Sequence, residues 1–279
     1  MEFFDSHSHY NDGKFNNDRE EIIKKTYEEG ITKIICAGYD ISSSKMSIEL
    51  ANKHKWIYSI IGISPNDIPK KVGDISNQIK EIEKMILSEQ QTNKQVRKIV
   101  AIGEIGLDYY WNKENKEIQK QVFISQIELA NKYNLPIVIH TREAVDDTID
   151  ILKNVCASNK KGVFHCCPLN RELVKQALNL GYYISFAGPI TFKNSKNAEE
   201  IVNMVPLNKI LIETDSPYLA PEPKRGSRND CRNVKFTAQK IAEYKNIMLE
   251  EVAKVTYENA CKIFDITFLG ASLRKTSLK

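Results

Sequence analysis

The sequence predicts an α/β protein built as a single (β/α)8 TIM-type barrel, with a metal centre at the C-terminal ends of the strands. Three observations predict it. Eight short apolar runs recur along the 279 residues, separated by amphipathic segments. The runs are near-continuous in Ile, Val, Tyr and Phe, which suits parallel strands covered on both faces. Four of the five histidines fall at the ends of those runs, and barrel strands converge at their C-terminal ends on one catalytic face.

The runs are residues 3–5, 33–37, 58–62, 99–103, 136–140, 162–165, 182–186 and 209–213. Between the fourth and fifth, Ile118, Val122, Phe123, Ile127 and Ala130 form a helical stripe. Between the sixth and seventh, Leu173, Val174, Ala177 and Leu178 repeat the pattern, and Gly181 is a C-terminal stop. The charged stretch 70–98 reads as a solvated helix. Residues 234–244 and 249–264 read as two further helices after the eighth run. The loop 216–231 between them and the last strand is rich in Pro, Gly and Arg. A strand–helix alternation of this length also fits an open doubly wound sheet, but no GxGxxG or P-loop signature accompanies it. One barrel domain over residues 1–268 is expected, with a loose tail over 269–279.

Lys and Arg total 40 against 36 Asp and Glu, a net charge of +4. That excludes binding by bulk positive charge while allowing a local basic patch. No run of 18 apolar residues is present, so no membrane span is expected. The acidic opening Met1-Glu2-Phe3-Phe4-Asp5 lacks the pattern of a secretory signal. The six cysteines form no CxxC pair and read as reduced thiols. A cytoplasmic protein is expected, or a nuclear one in a eukaryote, monomeric by default.

Ligand-type residues cluster in this frame. His7 and His9 follow the first run, Glu104 the fourth, His140 and His165 end the fifth and sixth, and Asp215 follows the eighth. An HxH pair places two imidazoles on one side of an extended backbone, with Asp5 at the same parity to support a ligand. Four His with two carboxylates make an N/O site without thiolate, suited to Zn, Mn, Fe, Co or Ni, and with more waters to Mg. Taken singly, each residue is as readily a core histidine, a salt-bridge partner or a helix cap. Their joint placement on five strand ends is what points to a metal.

These residues sit in motifs that resemble the TatD family of metal-dependent hydrolases and nucleases. Asp5-Ser6-His7-Ser8-His9 resembles its opening motif. Residues 101–110, with Gly103-Glu104-Ile105-Gly106-Leu107-Asp108-Tyr109, resemble its second. His140-Thr141-Arg142-Glu143-Ala144 resembles its third. Glu213-Thr214-Asp215-Ser216-Pro217 resembles its fourth, with Arg225-Gly226-Ser227-Arg228 after it. The resemblance covers residues 3–264. It implies two divalent ions (Mg, Mn or Zn): His7, His9, Glu104 and Asp215 would hold one, and Glu104, His140 and His165 the other, with Glu104 bridging. It also implies DNA as substrate, cut at phosphodiester bonds, with 3′–5′ exonuclease action among the family's forms.

The mechanism expected from this is attack by a metal-activated water, with Asp215 as general base and Glu104 as bridging catalytic ligand. Arg142 is a candidate phosphate grip or a structural salt bridge. Arg228 is a candidate phosphate contact, and Arg225 a weaker one. Tyr109, with Tyr110 and Trp111, would stack on bases or form a packed rim. Two features depart from the family pattern. Gly62-Ile63-Ser64-Pro65 carries serine where a histidine is usual, which touches a substrate contact or proton transfer rather than the metals. Cys166-Cys167-Pro168 replaces Phe-Ser-Gly, and adjacent cysteines on a strand would point in opposite directions. Two other readings stand beside the nuclease. One is a barrel hydrolase of a small amide, ester or aminoacyl-tRNA; the other is an inactive, metal-stabilised binding protein.

Overall fold

The strand segments are dominated by β-branched and aromatic side chains, which favour a pleated, buried sheet. In the computed structural model, which describes residues 1–68, 72–91, 96–155 and 161–267, they form one eight-stranded parallel sheet. The elements run β1 (Phe3–Ser8), α1 (Arg19–Glu28), β2 (Ile31–Ala37), α2 (Ile41–Lys53), β3 (Ile57–Ile61), α3 (Val72–Gln91), β4 (Ile99–Asp108) and α4 (Lys116–Tyr133). They continue as β5 (Ile137–Arg142), α5 (Val145–Val155), β6 (Gly162–Phe164), α6 (Arg171–Asn179), β7 (Tyr183–Phe186), α7 (Ala198–Met204), β8 (Ile210–Ile212), α8 (Val234–Lys245) and α9 (Leu249–Ile263). Strand order follows chain order, so the fold is a (β/α)8 barrel. Asn134 and Asn246 end α4 and α8 in the left-handed conformation, and Gly181 follows α6 at φ +90°.

Between β8 and β1 the barrel is closed by contacts that continue past the short eighth strand. Ser6 Oγ donates to Ile212 O at 3.0 Å, the Asp215 amide donates to His7 O at 3.0 Å, and the His9 amide to Ser216 O at 2.7 Å. The buried Asp5 carboxylate fastens the same seam, accepting from Thr214 N at 3.1 Å and Thr214 Oγ1 at 2.6 Å. This seam is where β1, which carries His7 and leads into His9, meets the segment after β8 that carries Asp215.

Two buried layers flank the strands. The outer layer packs between sheet and helices and includes Ile34, Ile61, Ile102 and Phe123. The inner layer lines the barrel with Phe4, Ile35, Ile60, Val138, Val163 and Leu211, and joins Tyr257 and Cys261 of α9 and Phe264 at its C-terminal cap. The Phe4 ring stands 5.6 Å from Tyr257 and 6.3 Å from Phe264. Asn259 donates to Leu207 O and Ile210 O at the start of β8. The helix α9 therefore stoppers the N-terminal end of the barrel and leaves the other end open.

The charged stretch 70–98 differs from the solvated helix expected. Its described part, α3, buries Ile75, Ile82 and Ile86 in the outer layer. The spacing of seven and four residues puts all three on one face, so its charges cover only the other faces. The tail 269–279 lies outside the described residues.

Phe4 joins the inner layer to the stopper, and its truncation leaves a cavity that rigid strands cannot close. Phe4→Ala is expected to cost about 3–5 kcal/mol of stability, measured by denaturant titration of the metal-free protein.

Candidate metal centre

The ligand residues extend the inner face of the barrel upward. In a strand, residues two apart share a face. Val138 lines the barrel, and His140 follows two residues later; Val163 leads in the same way to His165, and Leu211 to Glu213. On β1 and β4 the sheet register supplies the correction that simple alternation lacks. Between Asp5↔Ile34 and Ser8↔Cys36, three steps on β1 stand against two on β2. Between Ile102↔Ile137 and Ile105↔Ile139, three steps on β4 stand against two on β5. Such bulges re-aim side chains, and here they bring His7 and Glu104 to the barrel axis. The bulge also breaks the parity expected between Asp5 and His7. Asp5 meets the His7 amide at 3.2 Å rather than an imidazole, so it holds the ligand strand by its backbone. Nor does Glu104 follow the end of β4 as expected: the strand continues to Asp108.

All six expected ligands converge. Glu104 Oε2 lies 3.5 Å from His7 Nε2 and 3.8 Å from His9 Nε2, and Asp215 Oδ1 lies 3.2 Å from His9 Nε2 and 3.9 Å from His7 Nε2. Glu104 Oε1 lies 3.0 Å from His140 Nδ1 and 3.3 Å from His165 Nε2. The two oxygens of one carboxylate thus face two different sets of nitrogens.

Proton counting tests whether these atoms fit a cation. His9 Nδ1 sits 2.9 Å from Ala37 O, which can only accept, so His9 carries its proton there and Nε2 is a bare acceptor. That nitrogen faces His7 Nε2 at 3.3 Å and two carboxylates. His140 Nε2 meets Asp108 Oδ2 at 3.0 Å, which leaves Nδ1 as the acceptor toward Glu104 and His165. Acceptors gathered this closely repel one another unless a cation lies among them. Donors about 2.1 Å from a common ion stand about 3 to 3.4 Å apart, close to the spacings found. The residues present therefore fit divalent ions. Among the described residues, His7–His9–Glu104 and Glu104–His140–His165 are two groups whose ligating atoms lie within 4.8 Å of one another, and Glu104 belongs to both.

Electrostatics agree with the geometry. Burial alone would raise the Glu104 pKa; the imidazoles around it, His165 foremost, outweigh burial and hold it well below the usual carboxylate range. For Asp215 the shift is likewise downward against burial, first through His9; because His9 Nε2 carries no proton, the positive charge this requires is what a cation would supply. Asp215 sits at φ +53°, a left-handed conformation that aspartate tolerates better than most residues. Close strand approach needs glycine at Gly106, where a Cβ would fall 1.9 Å from His140 O.

Around these residues opens a cavity of about 860 Å³, lined by Tyr39, Ser64, Asp67, Trp111, Arg142 and Tyr218 among others. Arg142 is exposed and forms no ion pair among the described residues. Its guanidinium lies 3.8 Å from the Tyr110 ring and 5.6 Å from the Trp111 ring. Three other expected contacts are placed elsewhere. Tyr109 is buried, donates to Asp147 Oδ2 at 2.6 Å and does not line the cavity. Arg228 is forked onto Asp18, also donates to Lys14 O, and lies off the cavity. Arg225 stacks 4.2 Å over Phe192. Cys166 and Cys167 both line the cavity rather than facing opposite ways, because β6 ends at Phe164 and the chain turns there, with Cys166 at φ +36°. Burial pushes both thiols up, Cys166 well above its ordinary value, which leaves little thiolate for attack.

Residues without an expected role also shape the site. Asp108, within the second motif, orients His140 and is itself held by Asn66 Nδ2 at 3.1 Å. Asp67 lines the cavity close to Ser64, and Tyr218 caps it while donating to Asp12 at 2.8 Å. For Asp108 the signal in the sequence was its place four residues past Glu104; for Asp67 there was none beyond an acidic loop.

A closed parallel barrel whose inner face ends in metal-ready nitrogens and carboxylates defines a metal-dependent hydrolase of the β/α-barrel type. Comparison with known proteins narrows the class. The family described as TatD related DNase matches residues 4–265. An uncharacterized metal-dependent hydrolase of Bacillus subtilis (strain 168), YabD, is 40% identical over 263 residues, which cover 94% of this chain and 99% of that protein. The crystal structure of YjjV, a TatD homolog from Escherichia coli K12, superimposes with a TM-score of 0.87 at 24% identity, covering 95% of this chain and 98% of that one. A hydrolase TatD family protein from Entamoeba histolytica gives a TM-score of 0.82 at 25% identity, covering 96% and 99%. The chain belongs to the TatD family of metal-dependent hydrolases. Among the described residues, no helix is long and apolar enough to cross a membrane.

Glu104 is expected to be indispensable for metal retention. Glu104→Ala should lose bound divalent metal, read by elemental analysis after gel filtration. Asp108→Asn should retain the fold and weaken uptake about 10- to 100-fold, since it disturbs only the orientation of one ligand.

Proposed function

We propose that the chain is a deoxyribonuclease that hydrolyses phosphodiester bonds with two divalent ions, Mg, Mn or Zn. The observation that carries this is Arg142. Among the described residues it is a cation without a carboxylate partner, laid against Tyr110 and Trp111 at the mouth of the metal cavity. Guanidinium groups grip phosphate bidentately, and aromatic rings beside it offer stacking surfaces for bases. The DNase description of the family supports the same reading.

Bound at the two ligand groups, the ions would supply Lewis acidity and lower the pKa of a coordinated water toward neutrality. Glu104, with one oxygen toward each group, would be shared between the two sites. Asp215, beside His9 Nε2 and held below its ordinary carboxylate value, would take the proton of the attacking water. Arg142 holds the phosphate and balances charge that builds on its oxygens. The departing sugar oxygen needs a proton. Among the described residues Asp67 is the remaining carboxyl on the cavity wall, and burial pushes it up to about 6.

A second reading rests on the opposite wall. Pro168, Leu169, Phe186, Pro189, Ile190 and Leu219 make that side of the cavity apolar. Such a surface suits an acyl or amino-acid side chain, as in a small ester or an aminoacyl-tRNA.

The deciding measurement is a time course on end-labelled single- and double-stranded DNA with protein stripped by chelator and resupplied with Mg, Mn or Zn. Metal-dependent cleavage that is absent in Glu104→Ala is expected. No cleavage with any metal, together with turnover of aminoacyl esters, would favour the second reading. Arg142→Ala should weaken DNA binding and reduce the salt slope by about one, whereas Arg228→Ala should leave the slope unchanged.

Asp67→Asn should slow DNA cleavage about 10²- to 10⁴-fold while sparing bis(p-nitrophenyl) phosphate, whose leaving group needs no proton. The acid form of Asp67 is required, so the DNA rate should fall as pH rises through about 6, with no such limb for the activated ester. Equal losses on both substrates would remove Asp67 from proton transfer.

A further inference from the structure

Four imidazoles face the Glu104 carboxylate, and an imidazole that binds a metal needs its other nitrogen held by a partner. For two of them that partner is plain: Ala37 O for His9 and Asp108 for His140. For His7 and His165 it is not. Both turn Nε2 toward Glu104, which leaves Nδ1 as the protonated nitrogen. Both Nδ1 atoms are buried and have no hydrogen-bond partner, and the same is true of Glu213 Oε2. Two buried donors and one buried acceptor without partners therefore occur in one place. His7, His165 and Glu213 bring ligating atoms within 4.8 Å of one another.

The local geometry relates the three. The His7 and His165 rings are stacked, with centroids 4.0 Å apart and planes within 15°. Glu213 is fully buried two residues past Leu211, on the inner face below the cluster. Its Oε1 accepts the Cys166 amide at 2.6 Å and lies 3.4 Å from His165 Nδ1. His7 belongs to one ligand group and His165 to the other. A third ion between them is disfavoured on proton count. An imidazole that gives Nε2 to one cation keeps a proton on Nδ1 and cannot ligate a second through it.

We propose that Glu213 is a shared positioning residue: one buried carboxylate that receives the Nδ1 protons of His7 and His165, directly or through one water, and so couples the two halves of the metal centre. The proposal rests on the metal-centre reading of the six ligands. It separates Glu213 from Asp108, which touches one ligand in one half only.

The carboxylate orients two ligand imidazoles, and losing it weakens both. Glu213→Gln is therefore expected to lower zinc affinity about 10- to 100-fold at both sites, read by calorimetric titration of chelator-treated protein. Asp108→Asn, titrated in parallel, should weaken one site.

A variant that binds zinc as tightly as wild type would overturn the proposal, and so would weakening confined to one site. A lower melting temperature with unchanged zinc affinity would make Glu213 merely structural. Proton-detected spectra of ¹⁵N-histidine-labelled wild-type protein loaded with zinc provide a check that needs no variant. Slowly exchanging Nδ1 protons on both His7 and His165 are expected, and a rapidly exchanging Nδ1 proton on either would overturn the shared role. A wild-type chain that takes up no divalent ion would instead overturn the metal-centre reading itself.

Discussion

The site depends on one buried carboxylate placed among four imidazoles. Glu104 is 8% exposed, and its two oxygens look toward different histidine pairs. Desolvation penalises its charge, and offsetting that penalty requires positive charge among the facing imidazoles. The histidines are under the reciprocal constraint: their acceptor nitrogens approach one another closely enough to repel. A cation relieves both at once. Much else in the barrel follows from bringing these groups to the axis, including the bulges on β1 and β4 and the glycine that lets β4 pass against His140.

Rigidity is distributed accordingly. The ligand strands are tied at their backbones as well as by side chains. Asp5 bonds to His7 and Thr214, and main-chain bonds join β1 to the segment after β8. The stopper helix fills the far end, and the six ligand-type residues lie at the open face. A barrel with one sealed end and one polar end is suited to a reaction that needs fixed charges and an approach route for substrate.

The rim is built differently from the floor. Arginines that look equivalent in composition take opposite parts. Arg142 rests on aromatic rings at the cavity, whereas Arg228 is consumed by Asp18 and Arg225 lies on Phe192. Tyr109 is likewise drawn inward by Asp147, leaving Trp111 at the cavity. Loop side chains have several partners within reach, and the nearest opposite charge decides among them.

The fold class and the convergence of six ligand-type residues were legible in the sequence, because both depend on local rules. Near-continuous apolar runs mark buried parallel strands, and residues at strand ends inherit the convergence of the barrel. Gly181 as a helix stop and His140 and His165 as inward-facing ends follow from the same periodicities. What the sequence could not determine depended on register and on long-range partners. A bulge reversed the parity between Asp5 and His7, since one extra residue in a strand changes the face of everything after it. The turn after β6 put both Cys166 and Cys167 on the cavity. The burial of α3 depends on an isoleucine face that its charges conceal. Asp108 and Glu213 stood in plain motifs, yet their work is visible only once the outer nitrogens of His140, His7 and His165 are located. Sequence thus determined which side chains reach the open end of the barrel; tertiary structure decided which atom of each faces which partner, because that depends on distances between strands far apart in the chain.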